Sequence, residues 1–194
     1  MKAWKYFYFI KRQFHKVINY YTLKNNNVLY QKININGIIY VKNNGGTLKI
    51  GNNFTANSGI NENPIGGDNL LRLVVYKKNA QLLIGENVGI SNSTFVCWDK
   101  IEIGNNVVIG GGCKIWDTNF HSLDPITRTG VLDIDIKTNP IKICDNVFIG
   151  GGVIILKGVE IGKNSVIAAG SVVQKNIPAN VIAGGNPCKI IKSI

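Results

Sequence analysis

Residues 143–173 read ICDNVFIGGGVIILKGVEIGKNSVIAAGSVV, and an aliphatic side chain returns every sixth position: Ile143, Ile149, Ile155, Ile161, Ile167 and Val173. Four residues after each comes a second, small or branched series: Val147, Val153, Val159, Ser165, Ser171 and Ile177. Between them lie Gly, Asn, Asp and Lys, which make turns and face water. An α-helix needs a period of 3.6, and ordinary half-buried strands alternate without a fixed six-residue return. A short fixed period with turn residues in every unit is the pattern of a parallel β-helix, whose stacked coils share one core. Coils ~4.8 Å apart then pair their backbone groups with one another. Outward from this stretch the beat runs through Ile84, Ile90 and Val96, slips in phase, and resumes at Ile103, Ile109 and Ile115. Farther upstream, LKIGNNFTANSGI (residues 48–60) keeps it loosely.

The beat stops from Trp116 to Pro140. Within that interruption, IWDTNFHSLDP (residues 115–125) presents His121, one of two histidines in the chain. A repeat that breaks to place a titratable side chain reads as an enzyme.

A chain of 194 residues fits one domain with a small appendage. Apolar residues at 45% and charged ones at 17% indicate a globular protein. No apolar run approaches the ~20 residues of a membrane span. The N-terminal apolar run is cut by Lys11 and Arg12 with no small-residue cleavage site after it, so no signal peptide is expected. Cys97, Cys113, Cys144 and Cys188 have no C-x-x-C spacing and read as reduced thiols of a cytosolic protein. The net charge is +11, and no Asp or Glu precedes Glu62 whereas nine Lys or Arg do, so residues 1–61 carry +9. Such a segment favours acidic partners: anionic lipid, an acidic glycan or nucleic acid.

The units IGNNVV, IGGGCK, IGGGVI and IGKNSV, with the ending IPANVIAGGNPCKII, resemble the hexapeptide-repeat acyltransferases, in the branch of the maltose, galactoside and polysaccharide O-acetyltransferases. The resemblance covers residues 84–194 closely and 47–83 loosely. It implies an all-β left-handed parallel β-helix with a protruding loop and a short N-terminal helical segment. The hand comes from the resemblance alone, because parallel crossovers generally favour the right hand. The implied organisation is an N-terminal basic aromatic segment over 1–46, a β-helix over 47–180 with the loop 116–140 inserted, and a C-terminal cofactor-binding tail over 181–194. The resemblance further implies a homotrimer with active sites at subunit interfaces, acetyl-CoA as co-substrate, no metal, a saccharide acceptor, and a cytoplasmic location, peripheral at the inner membrane where residues 1–61 meet an anionic surface or an acidic glycan. Nucleic acid is not an expected partner. The implied pathway is capsule, lipopolysaccharide or exopolysaccharide biosynthesis.

Transfer of acetyl from a thioester to a hydroxyl needs a base with pKa near 7, and histidine is the side chain that supplies it. His121 stands where related acetyltransferases carry their catalytic histidine. Asp117 and Asn119 are the nearest polar residues able to orient its ring. Many relatives read D-x-D-x-H there, so the second carboxylate is missing. By the same resemblance Phe148 lines the site, Gly151 offers its backbone to the cofactor, and Ala169 lets the pantetheine lie against the coil. Gln174 and Lys175 fall near the nucleotide end. Lys189 and Lys192 meet the phosphates as point charges rather than bidentate forks. Asn92, Ser93 and Trp116 are candidate acceptor contacts.

At the N-terminus Trp4, Phe7, Phe14, Val17, Ile18 and Tyr21 recur at helix-face spacing among Lys2, Lys5, Arg12 and Lys16. Two readings stand: a helix capping the solenoid's end, and an interfacial helix on anionic lipid. N-acetylation of an amino sugar or nucleotide-sugar is the rival to O-acetylation. A non-catalytic solenoid binder would keep its repeat unbroken. A zinc anhydrase of this fold needs three histidines, and the chain has two.

Overall fold

The computed structural model describes residues 2–64 and 70–194, with side chains from residue 6 onward. A helix, α1 (Lys2–Asn25), precedes a parallel solenoid of triangular section. One six-stranded sheet stacks Leu29–Tyr30, Thr47–Ile50, Gln81–Ile84, Lys100–Ile103, Ile141–Ile143 and Glu160–Ile161. The second begins with Ile33–Gly37 and Phe54–Ser58, runs on through Phe148–Ile149 and Val166–Ile167 to Val181–Gly184, and closes with an antiparallel strand, Lys189–Ser193. The third sheet has six strands, from Tyr40–Asn43 to Val172–Val173. The chain passes through them in the order first, second, third, once per coil.

The six-residue beat is the core. Ile143, Ile149, Ile155, Ile161, Ile167 and Val173 are all fully buried, as is the second series from Val147 to Ile177. Strand partners superpose them: Ile103 on Ile143 on Ile161, and Ile109 on Ile149 on Ile167. The two serines of the series are satisfied internally. Ser165 Oγ donates to the Pro178 carbonyl at 2.7 Å, and Ser171 Oγ to that of Ala168 at 2.6 Å.

At the turn between the first and second sheets each coil after the first places an asparagine in the left-handed region: Asn53, Asn87, Asn106, Asn146, Asn164 and Asn180, at φ 56 to 60°. Asparagine tolerates that conformation better than any other residue except glycine. Their side chains join in one ladder, each Nδ2 donating to the next Oδ1 at 2.7–3.1 Å. The turn between the second and third sheets uses glycine instead, except where Asn92 takes that position, and a Cβ on Gly150 would lie 2.6 Å from the Ala169 nitrogen.

Three features differ from the sequence expectations. The solenoid starts at Leu29 rather than at 47, because residues 29–43 already supply one strand to each sheet although they lack the Ile-Gly beat. Val96 is not a core residue: Phe95 and Cys97 point inward and Val96 is only half-buried. The phase slip is therefore a short step into Phe95 followed by a widened turn at Trp98 and Asp99. Finally, α1 spans 24 residues and is not short. It has no Gly or Pro, and it ends on Asn27 at φ 51° with Val28 N–H bonded to Leu23 O and Asn27 N–H to Lys24 O. This is the reverse turn that closes helices on a left-handed residue. Leu23 and Val28 are buried on the end of the core. Asn19, also buried, donates to Gly37 O at 2.9 Å and accepts from Ile39 N at 3.1 Å. The helix thus caps the coil, but with a different face from the aromatic one. Phe7, Phe14, Val17 and Tyr21 are exposed, and the side chain of Trp4 lies outside the described residues.

Candidate active site

The loop leaves the third sheet after Lys114–Trp116 and returns to the first at Ile141–Ile143, so it springs from the corner between those sheets. Its base is pinched shut. Thr118 bridges Thr138 antiparallel, Asn119 N–H donates to Lys137 O at 3.1 Å, and Asn139 N–H donates to Asp117 O at 3.0 Å. Beyond the pinch, a short helix, α2 (Pro125–Thr129), starts on Asp124, whose carboxylate accepts from Thr127 N at 2.7 Å. Arg128 donates back to Ser122 O at 3.0 Å. The loop is held together by these bonds, while Leu123, Ile126, Val131, Leu132 and Ile134 stay exposed on it.

His121 stands on this loop with 68% of its side chain exposed. Its Nδ1 lies 2.6 Å from Asp133 Oδ2, and the other oxygen of Asp133 accepts from Ser122 N at 2.9 Å. The Ser122 amide, and after it the imidazole, hold the Asp133 carboxyl below its ordinary value. A carboxylate only accepts, so a neutral ring facing it carries hydrogen on Nδ1 and turns a lone pair outward on Nε2. That is the tautomer of a general base.

The carboxylate that meets the imidazole is therefore Asp133, not Asp117. Asp117 is buried, and its two oxygens accept from Trp98 N at 2.7 Å and Asp99 N at 2.8 Å. It holds the widened turn that absorbs the phase slip. Burial raises its carboxyl against those two donors, and burial, with the Asp117 charge next, raises the Cys97 thiol beside it. Asn119 makes no hydrogen bond to the imidazole either, and its Nδ2 is buried without a partner.

The acceptor candidates divide. Asn92 does not face solvent: its amide is clasped to the Gly59 backbone, Oδ1 accepting from N–H at 2.8 Å and Nδ2 donating to the carbonyl at 3.1 Å. Ser93 is buried and bonded to Ser91 O, Gly110 O and Cys113 N. Both serve the turn at the end of the Gly89–Ser91 strand. Trp116 is half-buried with its ring 6.0 Å from that of Phe120, which also meets Trp98 edge-on at 6.1 Å. An aromatic cluster therefore supports the residue just before His121.

The cofactor candidates divide between the second sheet and, for Gln174 and Lys175, the corner between the third and first sheets. Phe148 is exposed on the outer side of the second sheet, between Val108 and Val166 in register. Gly151 and Ala169 sit at the adjoining corner, where Gly170 N–H bonds to Gly151 O. Lys189 and Lys192 are exposed on the closing antiparallel strand of the same sheet, and Gln174 and Lys175 are exposed just beyond the third. In a triangular section the second sheet is opposite the corner from which the loop springs. Within one chain, His121 and Phe148 belong to opposite sides of the prism. A groove of about 790 Å³ along the first sheet, lined by Lys142, Cys144, Glu160 and Pro178 among others, holds neither. Among the described residues no three His, Cys, Asp or Glu side chains converge to hold a metal ion.

Residues 140–175 match the family model described as bacterial transferase hexapeptide (six repeats). The chain is thus similar to hexapeptide-repeat acetyltransferases, galactoside and maltose O-acetyltransferases among them. It is 45% identical over 103 residues to a galactoside O-acetyltransferase of Lactococcus lactis, covering 53% of this chain and 48% of that one. Over 65 residues it is 55% identical to a 2,3,4,5-tetrahydropyridine-2,6-dicarboxylate N-acetyltransferase of Clostridium perfringens, covering 34% and 27%. A maltose O-acetyltransferase structure from Clostridium difficile superposes with a TM-score of 0.56 at 26% identity, over 97% of this chain and 88% of that one. The chain spans about half the length of the curated relatives it matches. The coil of this hexapeptide-repeat chain is a left-handed parallel β-helix, the hand the resemblance implied.

Proposed function

We propose that the chain is an acetyl-CoA-dependent O-acetyltransferase acting on a saccharide hydroxyl, built as a homotrimer in which His121 of one subunit faces the cofactor groove of the next. The observation that carries this is the His121–Asp133 pair at 2.6 Å on a projecting loop, on the opposite side of its own prism from Phe148. The similarity to the galactoside and maltose enzymes supports the reaction class. The second sheet offers the features a long, thin thioester ending in phosphates requires: exposed apolar surface at Phe148 and Val108, small residues at Gly151 and Ala169, and cations at Lys189 and Lys192.

His121 Nε2 takes the proton from the acceptor hydroxyl as its oxygen bonds to the acetyl carbonyl carbon. Backbone N–H groups of a glycine turn suit the oxyanion that develops. The carbon–sulfur bond breaks next, and the imidazolium returns its proton to the leaving thiolate. The acetyl ester remains on the sugar. Asp133 keeps Nδ1–H in place and balances the transient charge on the ring. The acceptor class fits capsule, lipopolysaccharide or exopolysaccharide synthesis on the cytoplasmic side of the membrane.

The N-acetyltransferase likeness favours one alternative, an amine acceptor using the same groove. Product analysis with matched hydroxyl and amine sugars separates the two. His121→Ala should lower turnover ~10²–10⁴-fold, the usual range for a positioned base, with CoA binding retained. Near-wild-type turnover would refute the assignment.

A further inference from the structure

At 3.6 residues per turn, α1 divides into two long faces. Lys11, His15, Asn19 and Leu23, four apart, run along the solenoid side. Lys11 pairs with Glu62 at 3.8 Å, His15 lines the cleft beside Gly37, Asn19 bonds to the Gly37 turn, and Leu23 enters the core. Phe7, Ile10, Phe14, Val17 and Tyr21 recur at alternating spacings of three and four on another face, and every one is exposed, Phe7 at 68% and Phe14 at 64%. Tyr6, Phe9 and Tyr20 widen that exposed face. Arg12 lies on the solenoid side, where its guanidinium donates to Asn34 Oδ1 at 3.3 Å. Lys16 and Lys24 are exposed beside the aromatic face, and α1 contains six Lys or Arg and no Asp or Glu.

A monomer rarely exposes so much contiguous aromatic surface without use for it. Capping does not use it, since the cap is made by Asn19 and Leu23. A second copy of the same face would bring Lys16 and Lys24 near identical cations with no acid on the helix to oppose them. A bilayer of anionic lipid meets both requirements at once: its interface takes up Phe and Tyr rings, and its headgroups attract the cations. No helix among the described residues is long and apolar enough to cross a membrane. We propose that α1 lies along an anionic membrane surface, with Phe7, Ile10, Phe14, Val17 and Tyr21 inserted below the headgroups and Lys16 and Lys24 on the phosphates. This holds whether or not acetyl transfer does, and it would bring the first coil beside any acceptor carried on a lipid.

The test is co-sedimentation of the full chain with phosphatidylcholine vesicles, with and without phosphatidylglycerol. Binding should require phosphatidylglycerol and weaken as salt rises. Lys16→Gln and Lys24→Gln should each weaken it about fivefold. Phe7→Ser with Phe14→Ser should weaken it roughly tenfold or more, and because both residues are solvent-exposed, the thermal midpoint should stay unchanged. Failure of the wild type to bind phosphatidylglycerol vesicles overturns the proposal. Binding that survives loss of the rings but not of the cations also overturns it, and assigns the face to a dissolved polyanion such as an acidic glycan. A fall in oligomer mass in the Phe7/Phe14 variant, without vesicle binding by the wild type, assigns it to contacts between copies.

Discussion

Asp133 Oδ2 lies 2.6 Å from Nδ1 of His121, twelve residues away along one loop, and its other oxygen is held by the Ser122 amide. On the proposed reading the loop thus carries its own base and its own orienter, and needs only a groove to face.

Asp133→Asn tests the orienter. An amide can present its NH2 to Nδ1, which selects the tautomer with hydrogen on Nε2 and no lone pair toward the acceptor. We expect kcat to fall roughly 10²-fold with the Michaelis constant for acetyl-CoA little changed and Asp133→Glu partly restoring it. A purely structural role would move both constants together and lower the thermal midpoint.

Asp117→Asn tests a different kind of carboxylate. Its two oxygens accept two backbone N–H groups, and an amide has one acceptor, so one donor is left buried and unpaired. Chemical denaturation should show a loss of about 1–3 kcal/mol. Burial raises the Asp117 carboxyl, so its contribution to stability is greatest below the ordinary carboxylate value of about 3.9. That contribution declines as pH rises through the folded value. The variant does not titrate there, so its deficit should narrow from acid toward neutral pH.

The six-residue return was enough to read the solenoid from sequence, because each inward position is buried by its equivalent one coil away. Ile143, Ile149 and Ile155 needed no distant partner to be recognised. The first coil was hidden, since Ile33–Gly37 and Tyr40–Asn43 alternate without the Ile-Gly unit and only their pairing with the next coil reveals them. His121 was legible as the titratable residue in the interruption. Its partner was not, because Asp117, Asp124, Asp133 and Asp135 all lie in the loop and only the fold-back through α2 selects among them. Asn92 and Ser93 misled for a related reason. Polar residues in a coil read as surface, whereas these close a turn inward.

Asn146→Ala probes the ladder. It strains a left-handed position and removes two side-chain hydrogen bonds, to Asn106 and Asn164. The melting curve should correspond to a loss of about 2 kcal/mol. Asn146→Gly, which relieves the backbone strain, should lose less.

The central claim is that the base and the groove it serves belong to different subunits, and mixed assemblies test it most directly. His121→Ala removes the base, and Ala169→Trp should obstruct the groove, so each variant alone should fail to transfer acetyl. Co-refolded together, they form interfaces that join an intact His121 to an intact groove, and the account predicts that activity returns. Persistent inactivity in mixed oligomers of verified composition would contradict it, placing both parts of the site within one chain.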